Sequence, residues 1–211
     1  MNLSSLDPRV LALGGALVAY LIGSLSFAVI VSRLFGLADP RSYGSGNPGA
    51  TNVLRSGNKG AAILTLLFDA LKGYVPVVIA LNLGLDVLTV TVIGLGAFIG
   101  HLWPVFFRFE GGKGVATAAG VLLGFSPALG GLVLLVWLAM AVVFRYSSLA
   151  ALTASLAAPI IQYVGWGLSA QTAGVLIMSA LLIWRHQANI RKLLAGQESK
   201  LGQKSAPPVA K

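Results

Sequence analysis

Long apolar stretches recur along this chain, and short polar segments separate them. Most of the stretches are about 17 to 25 residues long, which is the length that lets a helix cross a lipid bilayer. Charged residues make up 10% of the chain, whereas a soluble domain carries about 25%. Because the stretches are continuous rather than alternating, they do not fit a β-barrel. The sequence therefore predicts an all-α membrane protein whose backbone polar groups pair within helices.

Seven apolar stretches are interpreted as membrane spans. The fourth is the shortest. If it were re-entrant, only six crossings would remain, and the later basic segments would face the opposite side of the membrane. The sequence therefore favours a seven-transmembrane-helix bundle. The predicted spans are residues 10–35, 60–83, 87–107, 115–125, 128–144, 149–163 and 170–184.

Positive charge is distributed unevenly among the segments that link these spans. The chain has a formal net charge of +9. If the N-terminus is periplasmic and the C-terminus cytoplasmic, every Lys and Arg faces the cytoplasm except Arg9, which lies outside, and Lys72, which lies within a span. This bias follows the positive-inside rule and sets the predicted orientation. A nucleic-acid partner is not expected, because the cations lie in loops rather than on one soluble face.

The chain is predicted to form a single transmembrane domain over residues 1–195, followed by a polar, disordered cytoplasmic tail over residues 196–211. Residues 1–9 lack a basic region and a cleavage site, so we expect the first span to be retained rather than removed as a signal peptide. The chain has no cysteine, which excludes disulfides and thiolate nucleophiles. Its two histidines and six acidic residues suggest no metal-ligand set, and no metal or cofactor is predicted.

A polar, glycine-rich segment follows the first span and is called the first loop below. Its glycines allow backbone N–H groups to approach a ligand closely, and its cations add charge that a phosphate would need. No Walker pattern is present. A membrane loop with ordinary turn residues and positive-inside charge explains the composition about equally well. The segment reads Gly44-Ser45-Gly46-Asn47-Pro48-Gly49-Ala50-Thr51-Asn52, followed by Arg55 and Lys59.

A second glycine-rich segment, the second loop, reads Gly111-Gly112-Lys113-Gly114. The predicted topology places it on the same membrane face as the first loop, which favours a binding function over two ordinary turns. The Arg55 guanidinium can bind a phosphate through two parallel hydrogen bonds, whereas the Lys113 ammonium group supplies a point charge. The two loops are therefore predicted to bind one phosphate jointly, in a substrate that carries an acyl chain.

Few side chains offer acid–base chemistry. His101 could act as a general base, although a single histidine near a helix end is more often a packing or hydrogen-bonding residue. The short motif around it contains no carboxylate that could pair with it. Asp69 and Lys72 lie three residues apart within one span, where they can pair. That pair is interpreted as structural or as a brace for the first loop.

Three functions fit these features to different degrees. Polarity on a single membrane face indicates an enzyme at the inner leaflet, since a transporter usually has repeated halves and polar residues near the midplane. The alternative is a transporter or channel for a small phosphorylated anion. A non-catalytic scaffold leaves both glycine-rich loops unexplained. The protein offers few side chains for general acid–base catalysis. Catalysis would therefore rest on holding two substrates close together and on neutralising their charge, with one substrate already activated, such as an acyl phosphate.

The motifs resemble those of the bacterial acyl-phosphate:glycerol-3-phosphate acyltransferase family. They occur in that family's order and cover the chain from the first span to about Leu194. The two glycine-rich loops are the most specific of them. The matching pieces are Gly23-Ser24 with Phe27, the segment 44–55, Phe68-Asp69 with Lys72-Gly73, Gly100-His101 with Trp103-Pro104, the segment 111–117, Arg145-Tyr146 with Ser148, and Arg185-His186 with Asn189.

The resemblance implies acyl transfer from acyl phosphate to the 1-hydroxyl of glycerol 3-phosphate, giving lysophosphatidic acid and inorganic phosphate as the first step of phospholipid synthesis. It implies a bacterial inner-membrane enzyme with a cytoplasmic active site. By position, Ser45, Arg55 and Lys113 would contact substrate phosphate, while His101, Ser148 and Asn189 would line the pocket and help to place the glycerol moiety. The predicted catalytic residues are Ser45, Arg55, His101, Lys113 and Asn189. The remaining predicted substrate-binding residues are Gly44, Gly46, Asn47, Gly49, Thr51, Asn52, Gly111, Gly112 and Gly114.

The resemblance also implies partners. These are glycerol 3-phosphate, a long-chain acyl phosphate, membrane lipid and, as a further candidate, the soluble enzyme that makes the acyl phosphate; acyl-CoA and acyl carrier protein are not expected as donors. One departure is visible in the first span, where the chain has Gly23-Ser24-Leu25-Ser26 in place of the family's usual Gly-Ser-Ile-Pro. We expect this departure to change a helix kink and details of the acyl groove, but not the reaction.

Overall fold

The computed structural model describes residues 7–202, apart from the side chain of Pro8. The regular structure of these residues is helical, with two short 3₁₀ turns at Pro40–Ser42 and Val105–Phe107. The predicted all-α class is therefore confirmed for the described part of the chain. The helices are α1 Pro8–Gly23, α2 Phe27–Leu34, α3 Ala50–Leu54, α4 Lys59–Asn82, α5 Val87–Leu102, α6 Val115–Phe125, α7 Pro127–Phe144, α8 Ser147–Trp166, α9 Ala170–Arg185 and α10 Gln187–Leu194.

Five helical segments among the described residues are long and apolar enough to cross a membrane. Two further apolar helices, α6 and α9, coincide with the fourth and seventh predicted spans but are shorter. Helix α6 has 11 residues and is therefore roughly 16 Å long, about half of a hydrocarbon core of roughly 30 Å. The count of seven crossings and the orientation of the termini stay predictions. The five longer segments are Arg9–Leu34, Lys59–Asn82, Val87–Phe107, Pro127–Phe144 and Ser147–Trp166.

The first predicted span is interrupted. Helix α1 ends at Gly23, and α2 begins at Phe27. The Ser24 side chain, which is buried at the break, accepts a hydrogen bond from the backbone N–H of Val105 at 3.3 Å. The Leu25 carbonyl accepts one from Lys72 Nζ at 2.7 Å. A side chain of α4 and a backbone N–H of the Val105–Phe107 turn thus supply partners for polar groups at the break.

Helix α5 is the central helix of the bundle. It packs against α1, α4, α6 and α9, and most of its side chains are buried. Phe98 and Leu102 are fully buried in the main apolar core, which also includes Leu129 of α7 and Val175 of α9. Because α5 is held on several sides, its C-terminal end is a fixed platform for His101 and for the loop that follows.

Small residues allow the helices of two pairs to approach closely. A Cβ atom at Gly96 of α5 would lie 2.5 Å from the Ala16 carbonyl oxygen of α1. A Cβ atom at Gly120 of α6 would clash with the Ala70 carbonyl of α4, and one at Gly73 of α4 would clash with the Thr117 carbonyl of α6. Close approach through glycine is typical of membrane helix interfaces, where van der Waals packing contributes much of the association energy.

We expect Gly120→Ala to lower thermal stability in detergent, because the added methyl group meets a rigid backbone carbonyl of α4. The matched control is Gly131→Ala in α7, where a Cβ atom would have no neighbour within 4 Å. Replacing a helical glycine by alanine normally stabilises by about 0.5–1 kcal/mol, so the control is expected to melt at the same temperature or higher. Equal melting temperatures for Gly120→Ala and the wild type would contradict the packing argument.

Candidate active site

The first loop is organised by the amide of Asn52. This residue lies on α3 and is 2% exposed. Its Nδ2 donates to the carbonyls of Pro40 at 2.6 Å and Tyr43 at 3.2 Å. Its Oδ1 accepts from the backbone N–H of Ser45 at 3.0 Å and from Arg55 Nη1 at 3.4 Å. Asn52 therefore braces the loop and fixes two residues that the sequence predicts as phosphate ligands.

Backbone conformation explains the glycine at the start of this loop. Gly44 has a φ of +61°, in the left-handed region that residues with a Cβ atom rarely adopt. A Cβ atom there would also clash with the Asn52 amide oxygen. Any side chain at this position would displace the brace that positions Ser45.

The other predicted residues of the first loop lie at or near its surface. Ser45 and Gly46 are exposed, and the Ser45 hydroxyl lies 3.4 Å from the backbone nitrogen of Asn47. The backbone N–H of Gly49 donates to the Asn47 carbonyl at 2.9 Å. Thr51 Oγ1 lies 3.2 Å from the Ser147 hydroxyl at the start of α8. The loop is thus open on one side and linked to α8 on another.

The second loop is held in place by hydrogen bonds from Arg185, the last residue of α9. Arg185 Nη2 donates to the Gly111 carbonyl at 2.7 Å, and Nε donates to the Gly112 carbonyl at 3.1 Å. The backbone N–H of Gly112 donates in turn to the His101 carbonyl at 3.1 Å. These bonds leave Lys113 at the tip of a fixed backbone turn, which Gly114 closes with a φ of +85°.

The two glycine-rich loops are in direct contact. Gly111 and Gly112 are buried, and a Cβ atom at Gly112 would lie 3.1 Å from the Pro48 carbonyl oxygen of the first loop. Glycine at this position therefore lets the second loop pack against both the first loop and the His101 ring. The fold therefore brings the two predicted half-sites together at one end of the bundle; joint binding of one phosphate stays a prediction.

Lys113 is a mostly buried cation beside other cations. Burial lowers the pKa of its ammonium group to about 8, and the positive charges of Arg55, Lys192 and Arg185 act in the same direction. The carboxylate of Glu198 opposes this shift and favours the charged form. Lys113 Nζ donates a hydrogen bond to Asn189 Oδ1. An anion bound here would remove much of the repulsion among these cations.

Ser148 and Asn189 come together through an acidic residue that the sequence analysis placed in the tail. Glu198 Oε1 accepts from the Ser148 hydroxyl at 2.6 Å and from Asn189 Nδ2 at 2.7 Å. The domain boundary after residue 195 stays a prediction. Residues 196–202 nevertheless contact the helical body, whereas residues 203–211 lie outside the described residues.

His101 lies deeper than the loops and is 7% exposed. Its Nδ1 is 3.7 Å from Asp69 Oδ1, and the same oxygen is 2.7 Å from Lys72 Nζ. The fold therefore supplies from α4 the carboxylate that the short histidine motif lacks. The pairing of Asp69 with Lys72 is confirmed, and the His101 ring links that pair to the backbone of Gly112. This arrangement fits a brace for the second loop.

His186 is the other histidine at this end of the bundle, and it is 2% exposed. Burial lowers its pKa to about 4, and the nearby positive charge of Lys113 also disfavours protonation. Its Nδ1 lies 2.8 Å from the Leu182 carbonyl. A carbonyl can only accept, so Nδ1 carries the proton of the neutral ring.

Residues 13–196 match the family model described as glycerol-3-phosphate acyltransferase. The chain belongs to the glycerol-3-phosphate acyltransferase family. A glycerol-3-phosphate acyltransferase of Burkholderia lata is 62% identical over 191 residues, covering 90% of each chain. One from Paraburkholderia phymatum is 59% identical over 199 residues, covering 92% of this chain and 95% of the relative.

Two solved structures share the fold of this acyltransferase. Both are crystal structures of PlsY (YgiH), an integral membrane glycerol 3-phosphate acyltransferase. The glycerol 3-phosphate form has a TM-score of 0.86 and 42% identity, covering 90% of this chain and 96% of that one. The lysophosphatidic acid form has a TM-score of 0.84 and 41% identity, covering 90% and 95%. The acyltransferase described here is thus an integral membrane enzyme.

Sequence reasoning missed the structural roles of three residues that shape the site. Asn52 was predicted to bind substrate, and nothing in the sequence indicates that its amide braces the loop. Arg185 was placed just after the last predicted span and was not predicted as a site residue, although its place beside His186 in a family motif was an available signal. Glu198 was assigned to a disordered tail because its neighbours are polar and lack periodicity.

Arg185→Lys is expected to lower kcat/KM at least tenfold, because lysine cannot bond the Gly111 and Gly112 carbonyls with one planar group. Losing one bond to a charged group costs about 1.5–3 kcal/mol, and the second loop would lose its fixed position. Arg191→Lys, at an exposed site on α10, is the matched control. The measurement is the steady-state kcat/KM of the two variants. Equal values for Arg185→Lys and Arg191→Lys would show that Arg185 does not hold the second loop in place.

Proposed function

We propose that this enzyme transfers an acyl group from acyl phosphate to the 1-hydroxyl of glycerol 3-phosphate. The products are 1-acyl-glycerol 3-phosphate, which is lysophosphatidic acid, and inorganic phosphate. The observation that carries the proposal is the contact between Gly112 and Pro48, which unites two basic, glycine-rich loops at one end of the bundle. The substrate and product forms of the related crystal structures agree with the acceptor and with the product.

The donor is proposed from chemistry. In acyl phosphate the carbonyl carbon is already activated, because phosphate is a good leaving group. The acceptor hydroxyl oxygen forms a new bond to this carbon while the bond between the carbon and the phosphate oxygen breaks. The hydroxyl proton passes to an oxygen of the departing phosphate. No protein nucleophile is needed, and catalysis rests on orientation and charge neutralisation.

Six of the predicted side chains have specific roles in this proposal. Arg55 and Lys113 neutralise substrate phosphate, and Ser45 adds a hydroxyl from the exposed edge of the first loop. Ser148 and Asn189 hold the glycerol part, next to Lys113. His101 would support the second loop rather than act as a general base, because its ring is enclosed between Asp69 and Gly112.

The cellular setting is proposed from charge. The basic loops, the α7–α8 turn and α10 all lie at the end of the bundle that carries the site, and the positive-inside rule favours the cytoplasm for such an end. We place the enzyme in a bacterial inner membrane with seven crossings, a periplasmic N-terminus and a cytoplasmic site. There it would make the first intermediate of phospholipid synthesis, surrounded by membrane lipid, with the soluble enzyme that makes acyl phosphate as a further candidate partner.

Replacing Arg55 or Lys113 by Ala is expected to lower the rate about a hundredfold or more, because each removes a donor that stabilises charge in the transition state. The control is Arg33→Ala, at an exposed site in the last turn of α2. The measurement is formation of lysolipid from glycerol 3-phosphate and palmitoyl phosphate by purified protein. Wild-type rates in either loop variant would exclude the shared phosphate site.

The same assay with different donors tests the acyl source. We expect turnover with palmitoyl phosphate in the absence of metal and CoA, and none with palmitoyl-CoA or palmitoyl-acyl carrier protein. Proteoliposomes that take up glycerol 3-phosphate without making lysolipid would instead support the transporter alternative.

Activity is expected to depend on the charge of Lys113. Because the pKa of Lys113 is lowered to about 8, its ammonium form, which attracts phosphate, is lost as the pH rises through that value. The kcat/KM profile should therefore fall on the alkaline side near pH 8, since this ratio reports ionisations of the free enzyme. Lys113→Arg should lack that fall, because arginine stays charged; an identical alkaline fall in this variant would rule out Lys113 as its source.

A further inference from the structure

Residues 197–202 cross the site after α10 ends, and we call this segment the strap. The backbone N–H of Gln197 donates to the Lys192 carbonyl at 2.7 Å, which anchors the strap at α10. The backbone N–H of Leu201 donates to the Arg145 carbonyl at 2.7 Å, which anchors it at the turn between α7 and α8. The strap therefore spans the gap between α10, which carries Asn189, and the turn that leads into α8, which carries Ser148.

Two side chains of the strap reach the predicted substrate ligands. Glu198 Oε1 accepts hydrogen bonds from the Ser148 hydroxyl at 2.6 Å and from Asn189 Nδ2 at 2.7 Å. The Ser199 hydroxyl oxygen accepts from Arg55 Nη2 at 2.5 Å. The strap thus contacts residues of the first loop, of α8 and of α10 at once.

The Glu198 carboxylate determines the orientation of the Asn189 side-chain amide. An ionised carboxylate can only accept hydrogen bonds, so the amide turns its NH₂ group toward Glu198. This leaves Asn189 Oδ1 facing Lys113, whose ammonium group donates to it. A flipped amide would place oxygen against oxygen at Glu198 and NH₂ against ammonium at Lys113. One carboxylate therefore aligns a chain of polar groups that ends at the phosphate-binding cation.

Glu198 also supplies negative charge where the site is most positive. The chain has six acidic residues, and the other five are engaged elsewhere. Asp7 and Asp86 accept at helix N-termini, Asp39 and Glu110 lie near Arg41, and Asp69 pairs with Lys72. The charged groups that act on Lys113 are Glu198, Arg55, Lys192 and Arg185, and Lys113 acts in turn on His186.

We propose that Glu198 is a positioning residue of the acyltransferase site, acting through Ser148, Asn189 and Lys113 rather than through contact with the reacting atoms. The proposal rests on the proposed function of this same site. It assigns the strap a role in the reaction. The strap brings the Glu198 carboxylate to a site whose two loops, α8 end and α10 supply none.

The test compares full-length wild-type protein with Glu198→Ala, Glu198→Gln and the control Glu110→Gln, at an exposed acidic residue outside the site. Glu198→Ala leaves Asn189 and Ser148 without their acceptor, and kcat/KM should fall roughly tenfold to a hundredfold. The loss should appear mainly in kcat, because removing an anion does not weaken the attraction of the cations for phosphate. Glu110→Gln should behave as the wild type does.

Glu198→Gln separates positioning from simple tethering. Its amide oxygen can still accept from Ser148 and Asn189, so activity near neutral pH should exceed that of Glu198→Ala. The negative charge is gone, however, so the alkaline fall of kcat/KM should move to lower pH. A strap that only holds the structure together would be rescued fully by Gln, with the pH profile unchanged, and that result would overturn the proposal. Wild-type or higher kcat/KM in Glu198→Ala would overturn it as well.

A binding measurement keeps this test independent of the proposed function. If the wild type makes no lysolipid from palmitoyl phosphate, the proposed function fails, whatever the role of Glu198. Calorimetric titration of inorganic phosphate into the same proteins then decides the positioning proposal. The pH at which phosphate affinity is half lost should be lower for Glu198→Gln than for the wild type, and equal values would refute the proposal.

Discussion

Lys113 and Arg55 are two cations that the fold holds close together, and Lys113 is largely removed from water. Such an arrangement is costly in free energy unless an anion or a set of polar partners compensates for it. Part of the compensation is built in, through Asn189 and the nearby charge of Glu198. The remainder is available to a phosphate. Under the proposed function, the binding energy of the phosphate and the lowered pKa of Lys113 would share one physical origin, which is positive charge held in a largely buried place.

The rest of the structure keeps these cations in place. Glycines let the second loop lie against the first loop and against the His101 ring, where a side chain would not fit. Asn52 ties Ser45 and Arg55 to one amide, and Arg185 holds the second loop by two carbonyls. Deeper in the bundle, Lys72 joins Asp69 to the interrupted first span. Polar groups that orient the loops thus extend from the site into the helices.

Much of the fold follows from periodicity and composition. The five longest helical segments coincide with predicted spans, because a continuous apolar stretch has few alternatives to a membrane helix. The convergence of the two loops was also predicted, from charge and from the resemblance. The interruption at Ser24 was not, since a break stabilised by Lys72 and Val105 depends on residues distant in sequence. For the same reason no local pattern indicates that Glu198 contacts Ser148, which is 50 residues away. The partners of Asn52 are closer in sequence, but three of them are backbone groups, which leave no signal in the sequence.

The account depends on a single phosphate being held by both loops. A crystal structure of this protein with glycerol 3-phosphate and a non-hydrolysable acyl phosphate analogue measures that directly. We expect one phosphate group within hydrogen-bonding distance of both the Arg55 guanidinium and Lys113 Nζ, with the acceptor hydroxyl facing the acyl carbon. Phosphates bound at separate places, each touching only one of these cations, would contradict the account.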